Sequence, residues 1–260
     1  MSSLYFKTGG CSIVIGEKYY SGYIDYKPNK IIKFTKILKG HNEFKNLKLI
    51  RKIKNYSNYF TLPDEEQFIL KTNDKFYTVL KNLFKNEHNK FFYGNLIYNY
   101  IDYAGDKDLF DSIIDLKDNN DFTFWKSYRD IINFSKIMME ALNYLHQSKI
   151  CHLDIKPENI IVDSLKRKFK IIDFGFSSLE PFDDYVNNIR GTIGYYPKKV
   201  RDDYINIYLP QITANDFEID PLPCKTNPKL VYTIDSFCLG RVLYFLKLVY
   251  QDHAKKYWFN

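Results

Sequence analysis

The sequence predicts a two-lobed α+β protein in which a sheet-rich first part joins a helical second part. Short β-type runs dominate up to about residue 100, and helical periodicity dominates from Asp108 onward. A glycine-containing link at residues 102–105 separates the two parts. A chain of 260 residues is long enough to bury the cores of both lobes. Two such lobes leave a cleft between them, where a ligand site is expected.

The first part is predicted to contain four strands and one helix. The strands are placed at residues 12–16, 30–38, 67–71 and 94–100. The helix is placed at 42–55, because four apolar side chains recur there about every three residues: Phe44, Leu47, Ile50 and Ile53.

The second part is predicted to be mainly helical. A long amphipathic or buried helix is placed at 128–147, and a final helix runs from Asp235 to about Tyr250. Two short strands are expected between them, at 159–162 and 169–172. The final helix is apolar nearly all round, so most of its faces should be covered.

Composition and charge indicate a soluble intracellular protein, which we expect in the cytoplasm. Neither a membrane-spanning apolar run nor a signal peptide is recognisable, and the four cysteines are expected to be free thiols. The net charge of +7 could attract nucleic acid, but scattered lysines on solvated helix faces are the preferred interpretation. We therefore expect neither specific nucleic-acid binding nor membrane binding.

The most informative segment is 152–159, which reads His-Leu-Asp-Ile-Lys-Pro-Glu-Asn. An Asp-Phe-Gly motif begins at Asp173, at the end of a predicted strand. Phosphoryl transfer needs a carboxylate that accepts the proton of the attacking hydroxyl, oxygen ligands for Mg²⁺, and a cation near the transferred phosphate. Asp154 supplies the first, Asn159 and Asp173 the second, and Lys156 the third.

These two motifs resemble the catalytic loop and the metal-binding signature of the protein kinase family. The resemblance implies a eukaryotic-type serine/threonine protein kinase that uses ATP and Mg²⁺ and acts on a protein substrate. It also implies one kinase domain over residues 1–260, with a small β-rich N-lobe to about 101, a hinge at 102–105, and a mainly helical C-lobe from about 106. Lys156 favours serine or threonine over tyrosine as the acceptor.

The same register assigns roles around the nucleotide. Ile101 becomes the gatekeeper residue, and the backbones of Asp102 and Ala104 are expected to meet adenine. Asp108 is expected to reach the ribose, and Ile161 is expected to line the nucleotide pocket.

Two further matches concern the C-lobe. Gly-Thr-Ile-Gly-Tyr at 191–195 resembles the end of an activation segment, whose threonine, here Thr192, bonds Asp154 and Lys156 in the family. Asp235 matches the aspartate that holds the backbone of the catalytic loop, and it also suits a helix N-cap.

The glycine-rich loop is poorly matched. When Val14 is aligned with the valine of the family pattern, only one of the three pattern glycines is present, at Gly9. Gly10 is its neighbour in the sequence. The strand lysine that meets the α- and β-phosphates is placed at Lys33, with Lys36 as the rival.

The acidic partner of that lysine is predicted on the following helix. Glu43 is the preferred candidate, although the apolar pattern of the helix places Asn46 at the family position. The two residues are three apart and share one helix face.

Several positions depart from the family. Leu153 replaces the arginine that grips an activation-segment phosphate, and Lys199 replaces a glutamate that pairs with a late C-lobe arginine. The resemblance therefore implies a C-lobe lacking its last helices, where a residual apolar patch would mark a partner or dimer contact. The composition, rich in Asn, Ile, Lys, Tyr and Phe, is similar to that of kinases from large DNA viruses and would also suit an AT-rich protist.

Two other functions remain open. One is a pseudokinase that acts as a binding scaffold, which the poor glycine loop and the short C-lobe favour. The other is a small-molecule kinase of related fold, against which the Asp-Phe-Gly motif, Thr192 and Asp235 argue.

Overall fold

The N-lobe is built on an antiparallel five-stranded sheet. The computed structural model describes residues 6–9, 12–16, 22–25, 27, 29–36, 46–84, 92, 94–118, 124–182, 191–197 and 231–258. The strands are β1 (Phe6–Gly9), β2 (Ser12–Ile15), β3 (Lys30–Lys36), β4 (Phe68–Leu70) and β5 (Leu96–Asp102). They lie in the order β1-β2-β3-β5-β4. The structure confirms strands within all four predicted runs, whereas β1 was not predicted.

The alternation of side chains along β3 explains the N-lobe core. Ile32 and Phe34 are fully buried and pack with Ile13 and Ile15 of β2. Lys33 lies between them in sequence and therefore points to the opposite face, towards the cleft. Helix α1 (Lys75–Leu83), which was not predicted, covers the core from the β4–β5 connection through three buried side chains: Phe76, Tyr77 and Leu80.

The helix predicted at 42–55 is shorter at its end than the apolar pattern suggested. Residues 46–50 are helical, and the chain then turns and forms a 3-10 turn at Tyr56–Asn58. Asn55 adopts a left-handed conformation with φ of 58°, which ends helical geometry before the 3-10 turn. Residues 42–45 lie outside the described residues. Leu47 and Ile50 are fully buried against the core of the C-lobe, so this helix joins the two lobes.

Among the described residues, the C-lobe contains three α-helices: α2 (Leu109–Asp118), α3 (Tyr128–Gln147) and α4 (Val231–Trp258). The prediction for α3 is confirmed, and a capping box between Ser127 and Asp130 explains its start. Helix α4 begins earlier and ends later than predicted.

Short strands carry the cleft side of this lobe. They are β6 (Lys107–Asp108), β7 (Ile150–Cys151), β8 (Ile160–Asp163), β9 (Lys168–Ile171) and β10 (Ser178–Leu179). Strands β6, β8 and β9 form one sheet, and β10 pairs with β7. The two predicted strands correspond to β8 and β9, each shifted by one residue. Strand β8 begins after Asn159 because that residue belongs to a 3-10 turn at Pro157–Asn159.

Helix α4 is buried on one face and open on another. Val231, Ile234, Val242 and Leu246 are fully buried. Its exposed face carries three large apolar side chains: Phe237, Tyr244 and Leu248. The expectation that most faces are covered is therefore too strong for the part of the chain that the structure describes. Of the segments expected to cover this helix, residues 201–234 and the aromatic tail at 257–259, residues 201–230 and the side chains of the tail lie outside that part, and residues 231–234 belong to the helix itself. None of the described helices is long and apolar enough to cross a membrane.

Candidate active site

A buried carboxylate holds the backbone of the catalytic loop. Asp235 is fully buried on α4, and its two oxygens accept hydrogen bonds from the backbone N–H groups of His152 (2.8 Å) and Leu153 (2.7 Å). Leu153 has a φ of 65°, an uncommon conformation for a residue other than glycine. The ring of His146 lies 3.0 Å from the same carboxylate. Asp235 thus offsets the strain of the loop through charge-assisted hydrogen bonds, in the position that the resemblance implied.

Three polar side chains converge on Asp154, which is 5% exposed. The hydroxyl of Thr192 donates to Asp154 Oδ1 at 2.7 Å. Lys156 Nζ lies 3.1 Å from Asp154 Oδ2 and donates to Thr192 Oγ1 at 2.8 Å. Asn159 Nδ2 donates to the carbonyl oxygen of Asp154 at 2.8 Å and to its Oδ2 at 2.9 Å. The structure therefore brings together the three residues predicted as catalytic, and Thr192 with them.

Asp173 follows β9 by two residues and pairs with a lysine of the N-lobe. Its Oδ1 lies 3.0 Å from Nζ of Lys33, which reaches across from β3. The Lys33 ammonium ion lowers the pKa of Asp173, and burial opposes this effect. Asp173 has a φ of 62°, and its side chain is 42% exposed. A strained, ionised and accessible carboxylate is typical of a functional site.

His152 connects these two elements, a role that sequence reasoning did not assign. Its Nδ1 accepts from the backbone N–H of Asp154 at 3.3 Å, so its Nε2 carries the proton that is donated to the carbonyl of Ile172 at 3.0 Å. Its ring packs edge-on against Phe174 at 4.9 Å, and Phe174 packs against Phe60. The first residue of the catalytic motif thereby fixes the segment that carries Asp173. The sequence signal that could have pointed to this role is the position of His152 at the start of the catalytic motif.

The structure describes most of the predicted nucleotide-binding residues, and one of them takes a different role. Ile101 is buried in β5, Asp102 is the last residue of that strand, and Ala104 follows in the predicted hinge. Ile161 in β8 is buried and pairs with Asp108 in β6. Asp108 is 2% exposed and accepts from the backbone N–H of Asp111 at 2.8 Å. It therefore caps the start of α2, and little of the residue is exposed for contact with a ribose.

The described residues include only part of the predicted glycine-rich loop and one of the two candidates for the acidic partner of Lys33. Gly9 ends β1, and Val14 lies opposite Lys33 in the β2–β3 pair. Gly10 and Glu43 lie outside the described residues, as does the side chain of Lys36. Asn46, the alternative to Glu43, contacts Ser177 in the segment after Asp173.

Comparisons with known proteins agree with this geometry. Residues 33–203 match the profile of the protein kinase domain. Because this match covers more than half of the chain, the chain belongs to the protein kinase family. The predicted fold, a small β-rich lobe and a mainly helical lobe, is confirmed as a protein kinase fold.

Relatives include serine/threonine kinases. The chain is 44% identical over 52 residues to a Saccharomyces cerevisiae protein named "Probable serine/threonine-protein kinase", covering 20% of this chain and 3% of that protein. It is 37% identical over 70 residues to an Encephalitozoon cuniculi protein named "Probable casein kinase II subunit alpha homolog", covering 26% of this chain and 21% of that protein. The chain thus spans about a fifth or less of the length of these relatives. The kinase PK-1 of the Cydia pomonella granulovirus is similar over 90% of this chain and 63% of its own, with 19% identity and a TM-score of 0.49.

Proposed function

We propose that this chain is an ATP-dependent serine/threonine kinase that transfers the γ-phosphate to a hydroxyl group of a protein. The observation that carries the proposal is the cluster in which Thr192 and Lys156 hold the buried carboxylate of Asp154. A base for phosphoryl transfer must be fixed within reach of the acceptor hydroxyl, and such hydrogen bonds fix it.

Each side chain of the cluster has a distinct task in this proposal. Asp154 orients the acceptor hydroxyl and takes its proton. Lys156, held beside it, places a positive charge where the transferred phosphate gains negative charge. Thr192 belongs to the activation segment, so its bond to Asp154 ties that segment to the catalytic loop and forms a platform for a substrate peptide.

The residues present fit a bound magnesium ion. The amide nitrogen of Asn159 is turned towards Asp154, which leaves its amide oxygen as a ligand. Asp173 is ionised and accessible, and carboxylate and amide oxygens are the ligands that Mg²⁺ prefers. Bound Mg²⁺ would neutralise charge on the β- and γ-phosphates of ATP. In this proposal Lys33, which lies beside Asp173, would contact the α- and β-phosphates.

The specificity for serine and threonine is supported by Lys156 and by the relatives named as serine/threonine kinases. Purified protein, incubated with Mg-ATP and a mixture of basic and acidic proteins, tests the whole proposal. We expect phosphate on serine and threonine, measured by mass spectrometry, and loss of transfer when Mg²⁺ is chelated. Mainly phosphotyrosine, or no transfer under any condition, would contradict the proposal.

The second candidate is a pseudokinase that binds partners without transferring phosphate. The identity of Asn46 favours it, because an amide cannot form the ion pair with a lysine that a glutamate at this family position would form. Nucleotide binding without transfer in the same assay would support this candidate. We favour transfer because the chain carries Asp154, Lys156, Asn159 and Asp173 together, and a scaffold has no chemical need of the full set.

A further inference from the structure

A buried amide connects helical residues 46–50 of the N-lobe to the turn that follows Asp173. Asn46 lies at the start of helical residues 46–50, and its Nδ2 donates to Ser177 O at 2.7 Å and to Ser177 Oγ at 3.0 Å. Asn46 is 7% exposed and Ser177 is 8% exposed. Buried hydrogen bonds of this kind are expensive to leave unmade, so the two segments are held together.

Ser177 passes this contact on to the metal-binding segment. Its backbone N–H and its hydroxyl both donate to the carbonyl of Phe174, at 3.0 and 2.6 Å. These bonds close a turn over residues 174–177 that begins directly after Asp173. Because Asp173 is held in a strained left-handed conformation, its orientation depends on the surroundings of this turn.

The helix side of the contact is equally fixed. Leu47 and Ile50 are fully buried in the core cluster of the C-lobe. Asn46 therefore stands on an element that cannot rotate freely, and its amide serves as a rigid support for the turn.

We propose that Asn46 is a positioning residue that holds the turn after Asp173, and thereby the Asp173 carboxylate, in its metal-binding orientation. The proposal rests on the proposed function, in which Asp173 binds Mg²⁺. This role needs the amide group of Asn46, because both of its partners on Ser177 act as acceptors. One is the carbonyl oxygen of Ser177, and the other is its hydroxyl oxygen, whose proton is already donated to Phe174. A carboxylate at position 46 has no proton to donate and would repel both oxygens.

The isosteric variant Asn46→Asp tests the proposal by steady-state kinetics. We expect the KM for Mg-ATP to rise about tenfold, while kcat at saturating Mg-ATP changes less than about threefold. Ser177→Ala keeps the carbonyl acceptor and should raise KM only about twofold. Asn58→Asp makes the same chemical change at an exposed position and should leave both constants unchanged.

Amide hydrogen exchange provides a readout that does not depend on activity. In Asn46→Asp, exchange at residues 174–179 should accelerate about tenfold, with no change in α3. If the wild-type protein transfers no phosphate but this local acceleration occurs, the proposed function fails and the positioning role of Asn46 stands. Unchanged exchange and KM in Asn46→Asp, or acceleration spread evenly over the C-lobe, would overturn the role of Asn46.

Discussion

The two lobes hold their functional side chains in different ways. The catalytic loop is fixed from within the C-lobe, by Asp235 beneath its backbone and by Thr192 beside Asp154. The functional residues of the N-lobe find their partners across the cleft, Lys33 on Asp173 and Asn46 on Ser177. The base of the proposed reaction is therefore held by contacts within one lobe, whereas the proposed metal and nucleotide site depends on contacts between the two lobes.

Because of this difference, substitutions in the two regions should have different effects. Changes around the catalytic loop should reduce stability or turnover, because its contacts belong to a single core. Changes at the contacts between lobes should mainly weaken nucleotide binding and leave the core of the C-lobe intact. Both expectations can be tested by substitution.

The largest effect is expected for Asp235→Asn. The amide retains one acceptor oxygen, so one buried N–H of the catalytic loop loses its partner and the charge that assists the bonds is lost. We expect the free energy of unfolding to fall by about 3 kcal/mol, measured by urea denaturation. Asp118→Asn, at an exposed position on α2, is the matched control and should change stability by less than about 0.5 kcal/mol. A similarly small change in Asp235→Asn would show that the loop does not need this support.

A smaller effect is expected for Lys33→Met, and it should depend on pH. Since Lys33 lowers the pKa of Asp173 below its ordinary 3.8, the ion pair stabilises the folded state above that pH. Its contribution is lost as the pH falls through the lower folded-state value. The variant should be less stable than the wild type by about 1 kcal/mol at pH 7, and the gap should narrow below pH 4.

Thermal melting of both proteins between pH 3 and pH 7 measures this gap. Lys81→Met, an exposed lysine of α1, serves as the control for loss of a positive charge. A gap that stays constant over the whole pH range would show that Lys33 acts by packing rather than through Asp173.

The smallest effect is expected when phosphate is removed from the activation segment. Residues 173–199 contain three hydroxyl residues of the serine/threonine type, all described by the structure: Ser177, Ser178 and Thr192. Both serines are buried, and Thr192 bonds Asp154 and Lys156. Leu153, which is buried in place of the family arginine, has no charge with which to hold a phosphate.

Phosphatase treatment followed at once by a peptide assay should therefore change the rate less than about twofold. A large loss that is restored by rephosphorylation at one of these three residues would contradict this expectation. Mass spectrometry before and after treatment identifies the residue.

The sequence predicted the C-lobe site better than the N-lobe site for a physical reason. Asp154, Lys156 and Asn159 lie within one short loop, so the chain itself brings them close, and their motif can be read directly. The partners of Lys33 and Asn46 lie more than a hundred residues away, and no local pattern encodes such contacts. Asp108 shows a further limit, since an acidic residue before a helix suits a ligand contact and a helix cap equally well.

The central claim, that Asp154 serves chemistry and Asp173 serves metal binding, is tested most directly by comparing two isosteric variants. Turnover and Mg-ATP affinity are measured side by side for Asp154→Asn and Asp173→Asn. Asp154→Asn should lose transfer by about 10²–10⁴-fold while its affinity for Mg-ATP stays near that of the wild type. Asp173→Asn should lose Mg²⁺-dependent nucleotide affinity. Full transfer activity in Asp154→Asn would contradict the account.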